Sequence, residues 1–237
     1  MPKQQVTLDR RSGVAILALK HNYFVKAFPG RGSRIKHLLG ISRYQREVRN
    51  LAMFRKLGLA TPQLVAHGHH SRLGLLQEAV LVTREVENAA DLEQVLREKT
   101  LYGNGVIGAR KVLRALALAA RNLHDAGFYH KDLKPRNILL RSDNPEPELF
   151  FFDCPSGHHP PKFLLHRGIV RDLAHLEEGL RGYVTRIDLL YMYRVYRDCE
   201  KLSQEDKDLA REILAYHANR RMTRKRKRRE REKTLRG

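Results

Sequence analysis

The residues best placed to do chemistry lie in the run HKDLKPRN, His130 to Asn137. Asp132 and Asn137 stand five positions apart, a spacing that lets one short loop turn a carboxylate toward an alcohol and an amide oxygen toward a metal ion. Metal-bound phosphates need hard oxygen ligands, which gives Asn137, and Asp153 some twenty positions after the loop, a reason to be there. Lys134 can set a cation where negative charge builds up during phosphoryl transfer. Asp132 can orient or deprotonate the acceptor, and for an ordinary carboxylate facing an alcohol, orientation is the larger role. His130 reads as a structural side chain whose ring binds nearby backbone or carboxylate groups.

A second pair lies far upstream. Lys26 sits in an extended stretch and Glu47 in the helix that follows, so Lys26 can reach nucleotide phosphates if Glu47 holds its ammonium group. No GxGxxG run precedes Lys26: Gly13 stands before the first expected strand, and Gly30 and Gly32 follow the lysine. The phosphate cover is therefore minimal or atypical. Asp153 is followed by Cys154 and Pro155 where the protein-kinase pattern has Phe and Gly, and there is no APE sequence. A switch built on that Phe and an ordinary peptide platform are both disfavoured. His69, His70, His158 and His159 lack acidic or cysteine neighbours at metal-ligand spacing and read as loop residues.

The elements that must position these groups follow from pattern. Val14 to Leu19 and Tyr23 to Phe28 read as a hairpin. Tyr44, Val48, Leu51 and Phe54 recur at spacings of three and four, an amphipathic helix from about Ser42 to Leu57 with Gly58 as its stop. TPQLVAHGHH, a turn at Gly74 and LLQEAVLVTREV supply two or three more strands. A connector near Arg84 to Asn88 follows, in which Glu85 and Val86 are the candidate nucleotide contacts, because a hinge between lobes makes a cleft. Helices are expected over Ala90 to Lys99, Ile107 to Ala126, Asp172 to Leu180, Asp188 to Arg197 and Gln204 to His217. NILL and ELFFFDC form a small hairpin around RSDNPEPE. The expectation is an α+β chain with a reduced N-terminal β lobe (1–86), a mainly helical lobe (87–218) and a basic tail (219–237).

The 237 residues carry 46 Lys and Arg against 26 Asp and Glu, a formal charge of +20. Such a surplus favours polyanions, an anionic membrane or RNA. The final RRMTRKRKRREREKTLRG run carries nearly half of it and reads as solvated or disordered without a partner. Two cysteines without CxxC spacing suggest neither a disulfide framework nor a zinc site, and a reducing compartment fits. The N-terminal apolar stretch is broken by Lys20, His21 and Asn22, so it matches neither a membrane span nor a secretory signal. Membrane contact is expected to be peripheral, from the cytoplasmic side.

YFVKAF, YQREVRNLAMFRKLGLATPQLVAHG, LHDAGFYHKDLKPRNILL, FFFDC, RGIVRDLAHLEEGL and VTRIDLLYMYRVY together resemble the lipopolysaccharide kinase family, the Kdo and heptose kinases of Gram-negative bacteria. The last two segments separate this group from protein kinases. The resemblance implies a protein-kinase-like fold, ATP and Mg2+ as cofactors, and transfer of the γ-phosphoryl group to a sugar hydroxyl of the lipopolysaccharide inner core at the inner face of the cytoplasmic membrane. It further implies Lys26 on the ATP phosphates braced by Glu47, Asp132 as the catalytic aspartate, Asn137 and Asp153 on magnesium, and Asp172 at the start of a helix behind the loop, accepting its backbone N–H bonds. Two alternatives stay open: a small atypical Ser/Thr protein kinase, and a catalytically weak kinase-fold module binding membrane or RNA.

Overall fold

The computed structural model of the chain describes residues 4–9, 12–19, 21–29, 42–72, 75–98, 108–141 and 143–234. Its first half is a five-stranded antiparallel sheet in the order β1-β2-β3-β5-β4, from β1 (Gln4–Asp9), β2 (Ser12–Ala18), β3 (Asn22–Pro29), β4 (Leu64–Arg72) and β5 (Leu75–Arg84). Strand β1 was not expected; Gly13 lies inside β2 opposite Ala27, not ahead of the first strand. TPQLVAHGHH and LLQEAVLVTREV supply two strands, and Gly74, Gly30 and Gly32 lie outside the described residues. His69 and His70 belong to β4, not to a loop.

Helix α1 (Arg43–Lys56) joins β3 to β4. Ser42 caps it by accepting from the Gln45 N–H, and the Gln45 side chain reaches back to the Ser42 N–H, a reciprocal box that fixes the start. Past its end Gly58 takes φ of +72°, the left-handed conformation glycine adopts without penalty. Tyr44 and Leu51 pack on Phe28, Ala79 and Leu81 of the sheet as a small core. One turn later Phe54, fully buried, enters the second and larger core instead, so α1 belongs to both halves.

That larger core unites α2 (Leu92–Arg97), α3 (Ala109–Asp125), α4 (Lys162–Leu180), α5 (Arg186–Arg197) and α6 (Gln204–Thr234) with the sheet β6 (Ala89–Asp91), β7 (Ile138–Arg141) and β8 (Glu148–Phe151). NILL and ELFFFDC pair as expected, Ile138 opposite Phe151. Helix α4 begins at Lys162, ten residues before the expected start, directly after Pro160 and Pro161. The basic run does not leave the fold as a disordered tail: α6 continues without a break to Thr234. Gln204 to Thr234 contains no Gly or Pro and is rich in Lys, Arg and Glu, which propagate a helix readily. Among the described residues no helix is long and apolar enough to cross a membrane.

Candidate functional site

Lys26 sits in β3 between Val14 of β2 and Leu81 of β5, so its backbone is paired on both sides. Its Nζ lies 2.7 Å from Glu47 Oε1 and 3.0 Å from Oε2, and 2.6 Å from Asp153 Oδ1. Three chain segments thus meet at one ammonium group. Burial pushes the Glu47 carboxyl up from its ordinary range, with Lys26 pulling it down and Asp153 adding to the rise. Arg43 reaches within 4.0 Å of Asp153.

Asp153 follows β8 and takes φ of +51°, a left-handed turn that a non-glycine residue holds only when its surroundings impose it. The Phe152 N–H donates to the Asn137 carbonyl at 3.2 Å, which brings Asp153 beside the loop. The Asn137 side-chain amide donates to the Asp132 carbonyl at 2.8 Å and lies 3.4 Å from Asp132 Oδ2. With its nitrogen turned inward, Asn137 keeps its oxygen for another partner. That oxygen and the second oxygen of Asp153 are hard donors of the kind Mg2+ takes, so this pair fits such a cation.

Asp132 has different neighbours at its two oxygens. Lys134 Nζ is 3.0 Å from Oδ1 and His175 Nδ1 is 3.8 Å from it, while Arg136 lies 3.7 Å from Oδ2. Burial alone raises its pKa, yet Lys134, His175 and Arg136 outweigh that and hold the carboxyl below its ordinary value.

Behind the loop stands Asp172, fully buried in the middle of α4 and not at a helix start. It accepts the N–H of His130 at 2.5 Å and of Lys131 at 2.7 Å. Lys131 carries φ of +76°, and these two bonds hold that conformation. The His130 ring departs from expectation. It binds no backbone or carboxylate group of another residue; it is fully buried and stacks on Phe54, centroids 5.8 Å apart and planes 11° apart. An aromatic wall desolvates the imidazole and lowers its pKa, which keeps it neutral.

Several residues of this site escaped sequence reasoning. Asn50, one turn after Glu47 on the same face of α1, donates to the carbonyls of Cys154 at 2.6 Å and Gly157 at 3.0 Å. Its signal was a polar residue on the buried stripe that runs through Glu47 and Phe54. Gly168 and Gly179 let α4 approach the loop: an added Cβ falls 2.5 Å from the Tyr129 ring at the first and 2.4 Å from Pro135 Cδ at the second. Gly179→Ala therefore shifts Pro135 and the loop with it. We expect a loss of about 1–3 kcal/mol in urea unfolding and a several-fold lower kcat; unchanged values of both refute it.

The connector is tied to both halves. Glu85 donates its N–H to the Asn22 carbonyl at 3.0 Å and accepts the Asn22 amide at 2.7 Å, Val86 is half-buried, and Asn88 donates to Asp143 at 3.1 Å.

His175, buried at 4% exposure, has its pKa lowered by burial, and by Lys134 and Arg171, to about 4. A histidine with a depressed folded-state pKa contributes fully above the unfolded value near 6.5 and destabilises as pH falls from there toward 4. His130 acts in the same direction. From His175 alone, unfolding free energy should drop by about 2 kcal/mol between pH 7.5 and 5. Urea titrations of the native chain and His175→Asn at both pH values check this, the variant showing the smaller drop.

The profile of the lipopolysaccharide kinase (Kdo/WaaP) family matches residues 10–196. A 3-deoxy-D-manno-octulosonic acid kinase of Haemophilus influenzae is 31% identical over 97 residues, 40% of this chain and 37% of that protein. A calcium/calmodulin-dependent protein kinase type I of Schizosaccharomyces pombe is 40% identical over 50 residues, 21% of this chain and 15% of that one. The aligned part thus spans little more than a third of the first of these relatives. Among solved structures, WaaP in complex with acyl carrier protein has a TM-score of 0.69 at 21% identity, covering 92% of this chain and 86% of that chain, a likeness of fold. With the family match running from the first hairpin to the last turn of α5, the chain belongs to the lipopolysaccharide kinase (Kdo/WaaP) family.

Proposed function

We propose that this chain is an ATP-dependent phosphotransferase that moves the γ-phosphoryl group to a sugar hydroxyl, of Kdo or heptose, in the lipopolysaccharide inner core. The observation that carries the reading is Lys26 held between Glu47 and Asp153, with the Asp132–Asn137 loop beside it. In this reading the lobe 1–86 takes the nucleotide, with Glu85 and Val86 along its base and Lys26 on its phosphates, and the lobe 87–218 takes the acceptor. Asn137 and Asp153 would hold Mg2+, which when bound would supply neutralisation of phosphate charge. Asp132 receives and orients the acceptor hydroxyl, and its proton passes to that carboxylate as the bond to phosphorus forms. Lys134 stabilises charge on the transferring group. His130 and Asp172 keep the loop in shape.

The basic surplus, including the α6 run from residue 219, suits peripheral attachment at the inner face of an anionic membrane, at up to roughly 1 kcal/mol per near-surface cation. The same surplus would attract RNA, a second polyanion.

The test is a magnesium-ATP assay offering purified core lipopolysaccharide and a generic protein, with Asp132→Ala as control. Phosphate on a core sugar, absent with the variant, supports the reading. Label on protein alone sinks the sugar specificity, and no transfer to either favours a binding module.

A further inference from the structure

The two oxygens of Asp132 lead in different directions. Oδ2 lies toward Asn137, on the side proposed for metal and phosphate. Oδ1 lies toward Lys134 and His175, and both of these line a separate recess of about 230 Å3 between the loop, α4 and α6. Glu178, His217, Arg220 and Arg221 complete its wall.

The recess is built, not a chance gap between surface side chains. His175 is 96% buried, stacks on His217 with centroids 5.6 Å apart, and leaves its Nδ1 without a hydrogen-bond partner. His217 Nε2 lies 3.2 Å from both the Ala174 carbonyl and Glu178 Oε2, which fixes its ring. Glu178 is the sole acidic side chain of the lining and is taken up by that contact. Lys134 faces Asp132. Arg220 and Arg221 have no carboxylate partner among the described residues, so two permanent cations border a polar hollow whose one acidic lining residue, Glu178, is in contact with His217.

We propose that this recess is the acceptor's anion subsite: Arg220 and Arg221, with His175 and His217, hold an acidic group, carboxylate or phosphate, of the sugar whose neighbouring hydroxyl meets Asp132. The assignment rests on the proposed phosphotransfer and deepens it, naming the acceptor as an acidic sugar. Guanidinium groups recognise either oxyanion through paired N–H bonds, and a hydroxyl a few ångströms from the captured anion is presented to Asp132 Oδ1. A neutral sugar gains nothing from the two arginines.

Four probes decide it: a methyl glycoside of an octulosonic acid, its carboxamide, a heptose phosphate and unmodified heptose. Each is titrated calorimetrically into the native chain, Arg220→Gln/Arg221→Gln, and Lys207→Gln/Arg211→Gln, which removes two cations from α6 outside the recess. Acceptor KM and kcat are measured in parallel, and thermal unfolding confirms that both variants fold. The result expected is about 10- to 100-fold weaker binding and higher acceptor KM for an acidic probe with the first variant, little change for the neutral probes, and none with the second. Whether carboxylate or phosphate shows the loss identifies the acid. Equal losses for acidic and neutral probes, the same loss with the second variant, or no binding of either acidic probe to the native chain overturns the subsite. Arginine-dependent binding without transfer to any sugar leaves the recess standing and removes the proposed reaction. Transfer to a sugar that both variants perform alike removes the recess and leaves the reaction.

Discussion

Asp132→Asn lowers kcat for phosphoryl transfer by about 10²–10⁴-fold while KM for ATP stays close to native. The substitution preserves shape, so Lys134, Asn137 and His175 keep a neighbour of the same size, while the carboxylate's capacity to take a proton and the negative charge facing Lys134 and Arg136 are lost. Because Lys134, His175 and Arg136 hold the Asp132 pKa below 3.8, the native group is ionised across the neutral range. Its contribution to kcat is therefore flat from pH 8 down to about pH 5. An acid limb near pH 6.5 that vanishes in Asp132→Asn would contradict this. So would a variant whose defect lies in KM for ATP instead of kcat.

The second large effect concerns stability. Asp172→Ala leaves the N–H groups of His130 and Lys131 without an acceptor in a fully buried position. Each unmet donor costs roughly 1–3 kcal/mol, reduced by the gain from no longer burying a carboxylate. A net loss of about 2–4 kcal/mol is expected in urea unfolding, with Asp172→Asn in between, because its single oxygen can still accept one of the two bonds. Activity should fall further than stability at permissive temperature, since Lys131 is then free to leave φ of +76° and Asp132 follows it. If Asp172→Ala unfolds within 0.5 kcal/mol of native, the bracing role is wrong.

Much of this arrangement was legible before any coordinates. Lys26 and Glu47 could be paired on paper because a strand lysine and a helix glutamate each carry a local signature, and their elements follow one another. The β7–β8 hairpin could be read from two apolar runs around a Pro-rich turn. What escaped had no local signature. Gly168 lies ahead of the helix expected from Asp172 and carries no pattern of its own, yet it is glycine where Tyr129 presses on α4. The charge run after residue 219 reads as solvated or disordered, and the second of these fails because composition reports the cost of burying charge, not the ease of continuing a helix already nucleated by packed residues such as Ile213. His175, Arg220 and Arg221 converge only after α4 and α6 pack side by side. The His130 ring was assigned a polar partner from its type alone, and the ring of Phe54, supplied by α1, took that place.

Helix α1 supplies both Glu47 and Asn50, and only the short stretch Cys154 to Pro161 separates Asp153 from α4. Within that stretch the carbonyls of Cys154 and Gly157 are held by Asn50 of the helix that braces the lysine. The stretch after Asp153 is thus a strut between α1 and α4, and a cut or insertion within it would loosen the grip on Asp153 and Lys26 together.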